Sequence, residues 1–199
     1  YFLCTNQDNI DILIVSNFRQ VKNLFLAIPP KNHYNIPMYQ IHPISKDNLE
    51  SALEIWNQVV LDGIAFPQME TLSLESGWAF FQSQSFTGVA IDSSSKEPVG
   101  LYILHPNNVG RCGHICNASY AVKKDQRGKG VGEFLVKDCL KKAKELDFKI
   151  LQFNAVVATN KPALNLYKKL GFTQLGIIPK GFLSIDNTYQ DIIPHYIEL

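Results

Sequence analysis

The stretch Arg127-Gly128-Lys129-Gly130-Val131-Gly132 constrains this chain more than any other feature. Before it, Ile115 to Val122 reads as a strand, joined to the loop by Lys123 to Gln126. After it, Val131, Phe134, Leu135, Cys139, Leu140, Ala143 and Leu146 fall on one stripe and predict a helix over 130–146. A strand, a glycine loop and a helix in series make an anion site. Glycines let successive N–H groups point inward with no Cβ in the way. The helix start adds its own unpaired N–H groups and the positive end of its dipole. Lys123, Lys124, Arg127 and Lys129 put positive charge around the mouth. Glu133 suits a helix N-terminus but would repel a phosphate if it faced the loop, so it is expected to point away. A cation-rich turn with glycines and no ligand is the competing reading of these six residues.

Two phosphate loops fail on spacing. A Walker loop needs Lys-Ser or Lys-Thr after its last glycine, but Glu133 and Phe134 follow Gly132. A dinucleotide fingerprint needs Gly-x-Gly-x-x-Gly directly after the strand. Here the order is Gly-x-Gly-x-Gly, set beyond a linker.

Residues 1–37 read as a separate N-terminal extension, with short apolar runs at 11–15 and 21–27 and prolines at Pro29, Pro30 and Pro37. From Met38 the pattern is regular, and 38–199 reads as one domain. Tyr39 to Ile44 alternates like a half-buried strand. Ser45 or Asp47 can cap the next helix, with Glu50 closing a capping box on Asp47. Its apolar stripe is Leu49, Leu53, Trp56, Val59 and Val60. A second helix is predicted over 71–81. A hairpin follows, with strands at 86–91 and 99–104 and a turn at Asp92 to Lys96. Downstream come a strand at 150–157, a helix at 162–170 ended by Gly171, and strands at 172–178 and 189–197.

The segment from Asn160 through Ala163, Leu166 and Tyr167 to Gly171 and Phe172 decides between the readings. Thr159 or Asn160 can cap its helix, and Pro162 fits the first turn. Asn160 and Tyr167 are two turns apart and share a face. Together with Arg127, Gly130 and Gly132, one helix and one strand upstream, this resembles the GNAT (Gcn5-related) N-acetyltransferases over roughly 38–199. The resemblance implies an α+β fold with a mixed α/β sheet, mostly antiparallel with one parallel pair, here 115–122 and 150–157. Those strands splay, and the thioester of the co-substrate, acetyl-CoA, lies in the gap. It implies a coenzyme A pyrophosphate site at Arg127, Gly128, Lys129, Gly130, Val131 and Gly132, and a main-chain donor for the developing oxyanion near Ala121 or Val122. Tyr167 becomes the general acid for the leaving thiolate, and Asn160 a ligand for the pantetheine arm or a water. The transfer is direct, through a tetrahedral intermediate.

The expected strand 115–122 has no acidic residue for a general base. His114 just before it is one option, and a water relay or an amine that arrives neutral are others. Glu70 and Glu75 lie where family members form a substrate lip. Cys112, His114 and Cys116 alternate as three ligands on one strand face would, but no fourth ligand is near and no metal is expected. The stretch Arg111 to Ala118, with Phe153-Asn154 and Thr159-Asn160, resembles the fungal azetidine-2-carboxylate (proline-analogue) acetyltransferases. That resemblance implies substrate contacts at Asn117 and Asn154. The chain departs from that group in keeping Tyr167, where the group carries tryptophan.

The expected acceptor is therefore a small amine or an amino or imino acid. A non-catalytic coenzyme A-binding module and a protein N-acetyltransferase are the alternatives. The 19 Lys and Arg nearly cancel 18 Asp and Glu, which argues against nucleic acid as a partner. No apolar run reaches the ~18 residues of a membrane span. Four cysteines do not suggest a disulfide scaffold, so a reducing, cytoplasmic setting is expected. A homodimer is left open.

Overall fold

The computed structural model describes residues 38–199, so the expectations for 1–37 lie outside the described residues. Chain order is β1 (Tyr39–Pro43), α1 (Lys46–Asp62), α2 (Leu74–Gln82), β2 (Phe86–Asp92), β3 (Pro98–Pro106), β4 (Ile115–Val122), α3 (Val131–Glu145), β5 (Ile150–Val157), α4 (Lys161–Lys169), β6 (Thr173–Gln174), β7 (Ile178–Leu183) and β8 (Tyr189–Glu198).

The strands form one mixed sheet in the order β1-β2-β3-β4-β5-β8-β6, with β7 also on β8. All neighbours are antiparallel except β4 and β5. These two run eight residues each, yet pair only at Ile115↔Ile150 and Cys116↔Leu151. Beyond that vertex they part. A bulge in β5 between Phe153 and Val156, where it pairs with β8, bends it away. The expected splayed parallel pair is therefore present, and β4 keeps an open edge along most of its length.

The sheet separates two apolar cores. On one face, Cys116 and Ala118 of β4 and Leu151 and Phe153 of β5 pack with Val131, Leu135 and Cys139 of α3 and with Tyr167 of α4. On the other, Leu101 and Ile103 of β3 and Ala121 of β4 pack under α1 and α2. Trp56 centres that second core, its ring 4.5 Å from Phe66 and 5.7 Å from Phe81.

Gly100 sets how closely α3 approaches the sheet. A Cβ there would lie 2.8 Å from the Ala121 carbonyl oxygen and 3.1 Å from Val131 Cγ1. The backbone oxygen cannot move aside, so overpacking costs about 1–3 kcal/mol. Gly100→Ala is expected to lower the melting temperature by several degrees and to weaken anion binding at the N-terminus of α3. Differential scanning fluorimetry with and without coenzyme A checks both.

Three local expectations need correction. α1 begins one residue after Ser45, whose N–H donates to Asn48 Oδ1 at 2.8 Å. The box is therefore Ser45/Asn48, not Asp47/Glu50. α2 begins at Leu74 rather than 71, because Ser73 and Ser76 cap reciprocally and Asn57 bonds both main-chain groups of Leu72. The strand expected over 172–178 is two, β6 and β7, separated by Gly176 at φ +154. α4 ends as expected. Gly171 adopts φ +87, its N–H reaches the Lys168 carbonyl, and Phe172 N–H reaches the Tyr167 carbonyl.

Candidate active site

The register of β4 decides which main-chain groups face the open edge. Asn107 N–H donates to the Ile115 carbonyl at 2.8 Å, and Lys123 N–H to the Val99 carbonyl at 2.9 Å. Alternate residues of an antiparallel strand bond the same neighbour, so Ile115, Asn117, Ser119 and Ala121 turn toward β3. Ala118, Tyr120 and Val122 turn toward the seam that β5 has left. Ala118 N–H is taken by Asn117 Oδ1 at 2.7 Å. The N–H groups of Tyr120 and Val122 are then the donors along the edge. Of the two residues expected near the donor, Val122 turns its N–H to the open edge. Ala121 spends its main-chain groups on β3 and buries its side chain under α1.

The edge leads into the glycine loop. Gly128 and Gly130 adopt φ +79 and +86, and a Cβ on either would meet nothing within 4 Å. The loop therefore faces open space in a conformation that favours glycine. The first amide to bond back into the helix is Phe134 N–H, to the Gly130 carbonyl. Among the described residues the six N–H groups from Gly128 to Glu133 have no acceptor. Gly130 brings no side-chain cap, so the helix start keeps its partial positive charge unmatched. Tyr39 Oη, donating to the Lys129 carbonyl at 3.0 Å, ties the loop to β1.

The charges around the loop are arranged. Glu133 points to α4, bonded to Lys169 at 2.6 Å and Lys137 at 2.8 Å. Lys137 first and Lys169 second lower its pKa to about 2. Arg127 donates through Nη2 to Asp62 at 2.9 Å and through Nε to the Val122 carbonyl at 3.4 Å. Burial would raise the Asp62 pKa, but hydrogen bonds from Arg127 and Gln58 outweigh it and lower it. A cavity of about 260 Å³ lies between Glu54, Ile55 and Gln58 of α1 and Lys123 to Asp125, beside this tie rather than on the seam. Since the guanidinium is already engaged, Arg127→Ala is expected to weaken coenzyme A binding by about tenfold, the low end for the loss of one hydrogen bond to a charged group. Calorimetric titration measures it.

Tyr167 stands on the α3/α4 face of the seam. Its ring lies 4.5 Å from Phe153, 5.3 Å from Phe172 and 6.0 Å from His195. Its hydroxyl has no hydrogen-bond partner among the described residues. Burial, with Cys139 nearby, pushes the phenol well above its ordinary range, so it stays protonated. Asn160 sits seven residues earlier as the α4 cap, its Oδ1 accepting Ala163 N–H at 3.3 Å. Its acceptor is therefore used by the helix, and its amide N–H groups remain to donate. The Tyr120 hydroxyl is buried on this face with no conventional partner.

The opposite face carries the asparagines. Asn117 alternates with buried Cys116 and Ala118, and Asn154 with buried Phe153. Asn107, just past β3, forms a reciprocal amide pair with Asn154, at 2.7 and 3.1 Å. Gln152 donates to the same Asn154 oxygen at 2.9 Å. This pair passes over β4, bridging two strand spacings of ~4.8 Å. Sequence reasoning missed Asn107 and Gln152, because only the sheet register brings them together.

Two other candidates fall away from the seam. His114 is exposed, and its carbonyl accepts the N–H groups of Lys149 and Ile150. That places it at the closed end of the parallel pair. Cys112 lies in an exposed helical turn, while Cys116 is buried with its Sγ donating to the Ile150 carbonyl. The three side chains do not alternate on one strand face, since Cys112 and His114 lie before β4. Glu70 and Glu75 are both exposed.

Comparison with known proteins fits this geometry. Residues 53–172 match the description "Acetyltransferase (GNAT) family". The Schizosaccharomyces pombe N-acetyltransferase aca1 is 41% identical over 80 residues, which cover 40% of this chain and 38% of that protein. The structure of a GCN5-related N-acetyltransferase from Kribbella flavida superposes with a TM-score of 0.75 at 28% identity, covering 81% of this chain and 98% of the other. A GNAT superfamily phosphinothricin acetyltransferase from Sinorhizobium meliloti, solved with AcCoA, shares the fold at a TM-score of 0.75 and 18% identity, over 82% of this chain and 89% of the other. With a glycine loop on α3, a seam between β4 and β5 and a family match across 120 residues that include both, the chain belongs to the GNAT family of acetyltransferases.

Proposed function

We propose that this chain is an acetyl-CoA-dependent N-acetyltransferase acting on a small amine or an amino or imino acid. The observation that carries the reading is the row of six unpaired amides at 128–133 running into an edge with further donors at Val122 and Tyr120. That row suits a pyrophosphate, and the strand edge suits the amide-bearing pantetheine arm. Acetyl-CoA supplies the activated acyl group. The chain's own residues orient it and handle protons and charge.

Val122 N–H, or Tyr120 N–H one register step nearer the vertex, donates to the oxygen that gains charge. Tyr167 protonates the departing thiolate. The amide N–H groups of Asn160 hold the arm or a water beside it. Asn117 and Asn154 contact the acceptor on the other face, and Asn154 exchanges its bond to Asn107 for one to the substrate. Three free cysteines among the described residues support a reducing, cytoplasmic setting. No described helix is long and apolar enough to cross a membrane.

Thiol release from acetyl-CoA, followed across alkylamines, amino acids and proline analogues, tests the reading. Turnover on at least one small amine is expected. Tight coenzyme A binding with no turnover on any of them would instead indicate a non-catalytic module.

A further inference from the structure

An ammonium substrate must lose a proton before its nitrogen can attack, yet β4 carries no Asp or Glu to take it. β3 holds a group in the right place. His105 is the direct cross-strand partner of Asn117, and such partners share a face with Cα atoms roughly 5 Å apart. Asn117 is the first β4 residue beyond the last β4–β5 pair, Cys116↔Leu151. His105 therefore stands level with the vertex of the seam, on the face that carries Asn107, Asn117, Gln152 and Asn154. These four neighbours are neutral amides.

The ring is half-buried, and its Nδ1 lies 3.0 Å from the Pro106 carbonyl oxygen. A carbonyl only accepts, so Nδ1 carries the hydrogen and the basic lone pair is on Nε2. The other described histidines are elsewhere. His42 is exposed on β1, three places along the sheet from β4. His114 is at the closed end. His195 is buried on the Tyr167 face, its Nδ1 2.8 Å from the Ile193 carbonyl.

We propose that His105 is the general base of the reaction, taking the proton of the incoming ammonium group on Nε2. The assignment rests on the acetyltransferase reading above. The neutral nitrogen forms the C–N bond as the carbonyl π pair moves onto oxygen, and collapse of that tetrahedral intermediate breaks the C–S bond, its electron pair leaving on sulfur. Tyr167 gives that sulfur a proton. The second N–H proton lost by the amine balances the one Tyr167 gave, and the His105 imidazolium returns the first to solvent. The net products are amide, thiol and one proton.

The test compares wild type with His105→Gln and His105→Asn on one alkylamine that the wild type acetylates. At neutral pH, kcat/KM for the amine is expected to fall about a hundredfold, with KM for acetyl-CoA unchanged. The deficit should shrink as pH rises toward the amine's own pKa, because free amine needs no base. A deficit that stays constant with pH, or no deficit in either folded variant, overturns the assignment while leaving the acetyltransferase reading intact. A wild-type enzyme inactive on every amine overturns both.

Discussion

Tyr167→Phe is expected to lower kcat by about two orders of magnitude, within the ordinary range for a general acid, while acetyl-CoA affinity changes little. The hydroxyl has no partner to lose among the described residues, so its removal leaves no buried group unsatisfied. The ring stays locked against Phe153 and Phe172. The fold should therefore hold, and the loss should appear in turnover. Burial keeps the phenol protonated throughout the neutral range, so Tyr167 can supply a proton there and cannot remove one. Any loss of activity as the medium is acidified must come from another group. Steady-state kinetics paired with calorimetric titration of coenzyme A decides the matter. A change in affinity with kcat intact would remove Tyr167 from the chemistry.

Gly130→Val should act oppositely, weakening coenzyme A binding by roughly a hundredfold. A left-handed backbone costs a non-glycine residue about 1–2 kcal/mol, and more when the side chain branches at Cβ. If the loop relaxes away from φ +86, one or two amides lose their aim. Each hydrogen bond to a charged partner is worth about 1.5–3 kcal/mol, and 1.4 kcal/mol is tenfold in affinity. The fold should lose no more than that backbone strain, because a Cβ added at this position meets nothing within 4 Å. Unchanged affinity would mean the anion does not sit on this loop.

The elements with a strong local signal were legible in the sequence. β4 and β5 fall at the expected residues, because each is a short apolar run bounded by clear breaks. α3 and α4 were visible from their stripes and from Gly130, Asn160 and Gly171, where backbone conformation or capping demands a particular residue. What sequence spacing could not supply was any fact about which strand lies beside which. Val122 rather than Ala121 as the open-edge donor follows from the β3 register. His105 facing Asn117, and Asn107 meeting Asn154, join residues 12 and 47 positions apart. The Arg127–Asp62 tie spans 65 positions. The split at Gly176 of the strand expected over 172–178 was missed because a glycine in an apolar run is compatible with a continued strand.

The sheet that divides the two cores also divides the chemistry. In the proposed arrangement, the groups that meet the amine lie on the α1/α2 side, and the group that answers the thiolate lies on the α3/α4 side. They communicate only through the slit between β4 and β5. Substitutions that are well separated and share no partners tend to combine additively. A change of acceptor, made at Asn107, Asn117 or Asn154, can therefore leave the thiol side and the phosphate loop as they are. In that arrangement the partition would make choice of amine a separable property, adjustable on one side of a wall while the acyl donor is handled unchanged on the other.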